Sequence, residues 1–306
     1  MPAAEAATEL RLATPPAPSL DWAVRAAGGV GLVSVAALRG GVSHANHRLR
    51  IRPSSGGTVD VVLRRAVRTD WMDEDPEYSP AQEIATYTLL GSSAIPAPRL
   101  VAADPEPERC DVSAILLTLA PGRRVVRPWD VREFVRELAE ALPAVHSVDP
   151  AAAARVVPPY RPFYEQTRLA VPEWSSRPAM WRRAIALFDA QPPSEGHFIH
   201  RDYHPGNTLW SGRSLSAIVD WTLASFGPPS FDVGHMRANL ALGYSLEVAD
   251  AFLAAHTAAA GAGPYDPWWD IRAVLDWLPE LHPASTPAAR LRRMEALVAR
   301  AIASVA

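Results

Sequence analysis

The amino-acid sequence predicts an α+β protein of two lobes, the first rich in β structure and the second mostly helical. Three observations lead there. Short apolar-alternating runs dominate the first 65 residues. Hydrophobic spacing changes from period two to period 3.6 after Pro121-Gly122. No internal repeat of solenoid length is present. The expected organisation is a mobile Ala/Pro-rich tail over residues 1–18, a first lobe over 19–119 and a second over 120–306.

In chain order, GLVSVAALRGG and HANHRLRI read as two strands joined at Gly40-Gly41. TVDVVLRRAV reads as a third, with Val59, Val61 and Leu63 on one face and Val62 and Arg64 on the other. Arg65 then lies away from Arg64 and is expected to be dispensable. In EYSPAQEIATYTLLG, Ser79 is an N-cap, Pro80 suits the first helical position, Gln82 completes a capping box and Gly91 closes the helix. CDVSAILLTLAPG reads as a buried strand. WDVREFVRELAEALPAVHSV reads as an amphipathic helix capped by Asp130 and Glu133, with Val131, Phe134, Val135, Leu138 and Leu142 along one face. A helix follows near PAMWRRAIALFDA, then short strands at GHFIH and SLSAIVDW, then helices from about residue 230.

Composition excludes several function classes. Across 306 residues, hydrophobic residues make up 48% and charged residues 21%, and the net charge is −3, so no broad basic surface for nucleic acid is expected. The single cysteine, Cys110, forms neither an intrachain disulfide nor a thiolate cluster, which suits a reducing cytoplasmic setting. The N-terminus lacks the pattern of a secretory signal, and no stretch has the length and apolarity of a membrane span.

The segment FIHRDYHPGNTLW concentrates the chemistry. His200, Asp202 and His204 alternate, and Asn207 follows Asp202 by five positions. Phosphoryl transfer needs a carboxylate to accept the hydroxyl proton and hard oxygen ligands to hold Mg²⁺ against the phosphates. Asp202 suits the first role. Asn207 and Asp220, at the end of the apolar run AIVD, suit the second. The known kinase template has the same H-R-D…N plus a later Asp. Upstream, LRGGVSHANHRLR forms a Gly-containing strand-turn-strand suited to covering phosphates, with Ser43 a candidate contact. VVLR stands where that template has V-A-I-K, and Glu83 is placed to pair with Arg64.

Through HRDYHPGNTLW, AIVDWTLASFGPPSFDVGHM, VVLR and LLTLAPG, over residues 35–275, the chain resembles the aminoglycoside phosphotransferase family within the wider choline-kinase-like small-molecule kinases. The resemblance implies a bilobal protein-kinase-like fold, with ATP or GTP and Mg²⁺ between the lobes and a small hydroxylated acceptor. It implies that Asp202 is the catalytic base, Asn207 and Asp220 the metal ligands, and Arg64 and Glu83 the pair that holds the phosphates. Leu117 to Leu119 would be the connector whose backbone meets the base, and Asp232 would brace the catalytic loop. Two positions depart from the family's pattern: Arg201 stands where glycine is more frequent, and Arg64 replaces lysine with a planar fork. Eleven residues between Asp220 and Asp232 are too few for a phosphorylated activation loop, so Arg201 is expected to make a local ion pair.

Simpler roles compete at several positions. His200 and His204 would shape the loop, His146 would be a core histidine, and Trp268, Trp269 and Trp277 would pack. Glu247, Asp250, Asp266, Asp270, Asp276 and Glu280 would form either a solvated face or an attractor for a cationic substrate. Two rival functions remain: a metallohydrolase using His200, Asp202, His204 and His235, and a catalytically dead kinase fold serving as a binding module.

Overall fold

The computed structural model describes residues 10–39, 44–67, 79–261 and 263–305. The chain divides into two compact units, Met1–Pro121 with Ala217–Thr222, and Gly122–Ser216 with Leu223–Ala306.

The first unit is built on a five-stranded antiparallel sheet. Helix α1 (Ala17–Ala26) precedes β1 (Gly29–Leu38), β2 (Ala45–Pro53) and β3 (Val59–Arg65). Helix α2 (Pro80–Gly91), β4 (Leu100–Asp104) and β5 (Ala114–Thr118) follow, and the strand order is β1-β2-β3-β5-β4. Alternation sorts the faces: Leu49, Ile51, Val61, Leu63, Ala114 and Leu116 form one buried cluster, sealed by Trp22 and Ala23 of α1. Each fully buried leucine or isoleucine there contributes about 1.5–3 kcal/mol. Helix α1 begins within the stretch expected to be a tail, and its Trp22 is 3% exposed. The Ser79 hydroxyl accepts the Gln82 N–H and caps α2 as expected. That helix ends at Gly91, as expected, and Ser92 follows as its cap, with its N–H on the Leu89 carbonyl.

Arg65 is not the inert residue the sequence suggests. It is 5% exposed, and its guanidinium bonds Asp111 through Nε at 2.9 Å and again through Nη2.

The second unit is mostly helical. Its elements are α3 (Val131–His146), α4 (Pro150–Val156), α5 (Pro178–Ala186), β6 (His197–Ile199), β7 (Thr208–Ser211) and the start of β8 (Ser214–Ile218). Then come β9 (Ser225–Gly227), α6 (Pro229–Gly243), α7 (Leu246–Ala260), α8 (Trp268–Leu275) and α9 (Ala288–Val305). Strand β6 pairs with β9, and β7 with β8. Helix α3 is capped by Asp130, which accepts the Arg132 and Glu133 N–H groups, and it packs on α7. Helix α6 is buried along most of its length and packs on α8. That approach needs Gly234, where a Cβ would stand 2.5 Å from the Trp269 carbonyl oxygen. Trp268 and Trp269 pack with Ile199 and Phe231 as core residues. Among the described residues, no helix is long and apolar enough to cross a membrane.

Candidate active site

The candidate residues fall in two clusters of polar side chains, one in each unit. In the first, the strand alternation that buries Val61 and Leu63 turns Arg64 to the opposite face, where the guanidinium is 7% exposed. Arg64 Nε donates to Glu83 Oε1 at 2.8 Å, and Glu83 stands in the first turn of α2, itself 3% exposed. Nη1 donates to Asn46 Oδ1 at 3.3 Å, and Nη2 donates to Asp220 Oδ1 at 3.0 Å and Thr222 Oγ1 at 2.5 Å. His44 Nε2 lies 3.6 Å from Glu83 Oε2. Burial, then the charge of Arg64, holds the His44 imidazole well below its ordinary pKa.

One guanidinium thus joins the helix carboxylate to the carboxylate that follows β8. The planar fork makes this possible, because its donors point in different fixed directions. Residues 217–222 are fastened to this unit by more than Arg64: Ile218 N–H bonds the Pro96 carbonyl at 2.7 Å. Asp220 has φ +65, a left-handed conformation uncommon outside glycine, and its side chain is 32% exposed. Leu117 is buried in β5 opposite Val62, and Leu119 lies half-buried just beyond the strand. Ser43 lies outside the described residues.

In the second unit the loop after β6 is organised by hydrogen bonds to its own backbone. Asp232, fully buried in the first turn of α6, accepts the His200 N–H at 2.9 Å and the Arg201 N–H at 2.8 Å. His146 Nε2 lies 3.0 Å from the same carboxylate, so this histidine is a polar partner of the brace rather than apolar filling. His200 Nδ1 accepts the Asp202 N–H at 3.2 Å, and His204 Nδ1 accepts the Gly206 N–H at 3.0 Å. Both histidines shape the turn.

Arg201 has φ +66, which explains why glycine suits this position. Its guanidinium stacks 4.4 Å over the Phe163 ring and donates to the Arg161 carbonyl at 3.0 Å. Its charge also favours ionisation of Asp276, a buried carboxyl that desolvation pushes up overall.

Asp202 is held at both oxygens. Asn207 Nδ2 donates to Oδ2 at 2.8 Å and to the Asp202 backbone carbonyl at 3.0 Å. His235 Nε2 lies 3.2 Å from Oδ1, and His204 Nε2 lies 3.6 Å from Oδ2. Burial pushes this carboxyl up, but the facing His204 and His235 imidazoles outweigh it and leave the pKa well below the usual carboxylate range. Asp202 is therefore anionic throughout neutral pH. Sequence reasoning assigned His235 no role beyond metal binding. Its signal was its place three residues after Asp232, one turn along the same helix face.

The rival metal reading finds its histidines turned onto the loop backbone and onto Asp202. Among the described residues, no group of three or more His, Cys, Asp or Glu is arranged to hold a metal ion. The acidic positions are mostly spent within the fold. Asp270 pairs with Arg237 at 2.8 Å, Asp250 with Arg300 at 2.7 Å, Asp276 with Arg272, and Glu280 accepts from Tyr164.

A model of the phosphotransferase enzyme family matches residues 34–268. No curated protein matches significantly. Among solved structures, the chain is similar to the apoenzyme of macrolide 2'-phosphotransferase MphH from Brachybacterium faecium, at 20% identity and TM-score 0.61, covering 91% of this chain and 97% of that one. It is similar to a thermostable mutant of aminoglycoside phosphotransferase APH(4)-Ia in ternary complex with AMP-PNP and hygromycin B, at 15% identity and TM-score 0.64, covering 94% and 99%. A GDP complex of aminoglycoside 2'-phosphotransferase-IIIa matches at 17% identity and TM-score 0.63, covering 94% and 99%. These likenesses establish a shared kinase-like fold.

Proposed function

Because the chain belongs to the phosphotransferase enzyme family, we propose that it transfers the γ-phosphate of ATP or GTP, as the Mg²⁺ complex, to a hydroxyl of a small acceptor. The observation that carries this reading is Asp202: an anionic carboxylate, 31% exposed, oriented from both sides within a loop braced at its backbone. Such a group accepts the acceptor's hydroxyl proton as the oxygen attacks phosphorus, so that the new P–O bond forms while the bond to the leaving diphosphate breaks.

The donor chemistry of Asn207 and Asp220 supports magnesium as the ion they would hold. Asn207 commits its amide nitrogen to Asp202, so its amide oxygen would be the donor. Asp220 commits Oδ1 to Arg64 and Thr222, so Oδ2 would be its donor. When bound, the ion neutralises phosphate charge. Arg64, oriented by Glu83, is assigned to the nucleotide phosphates, and the backbone at Leu117 to Leu119 to the base. Solved relatives with nucleotides of either base support leaving ATP and GTP open. The acceptor class is a hydroxylated small molecule, of which aminoglycosides and macrolides are the first to try, given the names of the similar structures.

The test is a transfer screen of the purified protein with Mg·ATP or Mg·GTP against aminoglycosides, macrolides, amino alcohols, sugars and nucleosides, read by mass of the product. Asp202→Asn is expected to lower turnover by roughly 10²- to 10⁴-fold while nucleotide binding survives. Near-normal turnover in that variant would remove Asp202 from the mechanism. Mg²⁺-dependent nucleotide binding without transfer to any acceptor or to water would favour the binding-module reading instead.

A further inference from the structure

Helix α6 presents two polar side chains one turn apart to the same loop. Asp232 takes the backbone N–H groups of His200 and Arg201, and His235 reaches the Asp202 side chain itself. The His235 ring is 2% exposed and fixed from three sides. Trp277 stands edge-on at 5.2 Å and 75°, Phe231 is tilted at 5.9 Å, and the His204 ring lies at 6.1 Å. Among the described residues its Nδ1 is buried with no hydrogen-bond partner, and the Asp202 carboxylate is the polar group that Nε2 faces.

We propose that His235 is a positioning residue for Asp202, acting as a neutral Nε2–H donor to Oδ1. The tautomer follows from the surroundings. A proton on Nδ1 would strand a donor in an aromatic box and turn the Nε2 lone pair toward an anion, whereas a proton on Nε2 points at the carboxylate and leaves only an unpartnered acceptor at Nδ1. Asn207 fixes Oδ2 and His235 fixes Oδ1, so the carboxylate plane is held and its remaining lone pairs are presented to the acceptor hydroxyl. His235 keeps its own proton throughout, and the acceptor's proton goes to Asp202. The inference rests on the transfer reading for its function, but the 3.2 Å contact from which the hydrogen bond is inferred does not.

Two measurements separate these. The first needs no substrate: long-range ¹H–¹⁵N correlation of the ¹⁵N-labelled full chain at pH 7.5, with the His235 signals assigned by their loss in His235→Gln. The expected pattern is a neutral ring protonated on Nε2, with a clear shift of that resonance in Asp202→Ala. A ring protonated on Nδ1, or signals indifferent to Asp202→Ala, overturns the proposal whatever the protein phosphorylates.

The second is steady-state turnover of Mg·ATP, with water or the best acceptor from the screen. His235→Phe keeps the ring's bulk and removes the donor. It is expected to lower kcat by about 10- to 100-fold, as misplacement of a catalytic group does, with little change in the nucleotide KM. His235→Gln, whose amide nitrogen reaches the same point, is expected to recover most of the loss. Equal kcat in His235→Phe and the unmodified protein, or no recovery in His235→Gln, overturns the positioning role. Absence of turnover in the unmodified protein counts against the transfer reading and leaves the spectroscopic result to decide the contact.

Discussion

Replacing Arg64 by methionine keeps much of the side-chain volume and removes five donors from a site where Glu83, Asn46, His44, Asp220 and Thr222 all meet them. Glu83 is the expensive one to abandon. At 3% exposure it cannot recover its hydration, and breaking a buried ion pair on one side costs about 3–5 kcal/mol. Asp220 is 32% exposed, so water replaces most of what it loses, and its share is under about 1 kcal/mol. His44 softens the blow in one direction only. With the Arg64 charge gone, one cause of its lowered pKa disappears, and protonation beside Glu83 becomes easier below neutral pH. The expected destabilisation of the first unit is therefore about 3–5 kcal/mol near pH 8, and less near pH 6. The assay is native-state hydrogen exchange of the β3 and β5 amides, which reads this unit's opening free energy by itself.

Glu83→Gln should cost a similar amount. The double variant should cost less than the sum by about 1–3 kcal/mol, since the two act as a unit. Arg52→Ala, on an exposed position of β2, is the control in place of the buried Arg65, and should stay within about 0.5 kcal/mol. A loss below about 1 kcal/mol for Arg64→Met would refute the reasoning that Glu83 is stranded. If Arg64 also serves the phosphates, Mg·ATP binding weakens in parallel, and Arg64→Lys repairs it only in part.

Acid should weaken the fold from just below neutral pH, through its buried histidines. Burial first, then the charges of Arg64, Arg65 and His146 respectively, lowers the pKa of His44, His47 and His256. Below the unfolded value of about 6.5 the unfolded chain takes up protons that the folded chain refuses, so stability falls with pH by up to about 1.4 kcal/mol per unit for each histidine. A urea midpoint that stays level from pH 7.5 to 5.5 would contradict this, and His256→Phe should flatten part of the slope. Gly122 has φ +99, and a Cβ there would clash with Ser216 Oγ and stand 2.7 Å from the Trp210 carbonyl oxygen. Gly122→Ala should lower the second unit's stability by about 1–3 kcal/mol, and an unchanged thermal midpoint would show that the backbone gives way freely.

What was legible in the sequence was local. Alternation gave β2 and β3 their faces, Ser79 and Asp130 announced the starts of α2 and α3, and the contiguous spacing of Asp202 and Asn207 announced a loop that the fold closes on itself. The obscure parts rest on distant partners. Arg65 meets Asp111 across 46 positions, His146 meets Asp232 across 86, and Arg64 meets Asp220 across 156. Nothing in a window of ten residues distinguishes such an arginine from a solvated one. Strand β4 is short and mixed in character, and only its pairing with β5 makes it a strand.

The loan of Ala217–Thr222 to the first unit has a consequence for biosynthesis. A nascent chain that has emerged through Pro121 carries all five strands of the sheet but leaves Arg64 and Glu83 without Asp220 and Thr222. That unit is completed only after the ribosome has delivered about a hundred further residues, so it has no early chance to fold fully on the N-terminal-first schedule of independent domains. A fragment ending at Pro121 would carry the same defect permanently. The functional boundary of the first unit is a set of contacts, and no single cut in the chain reproduces it.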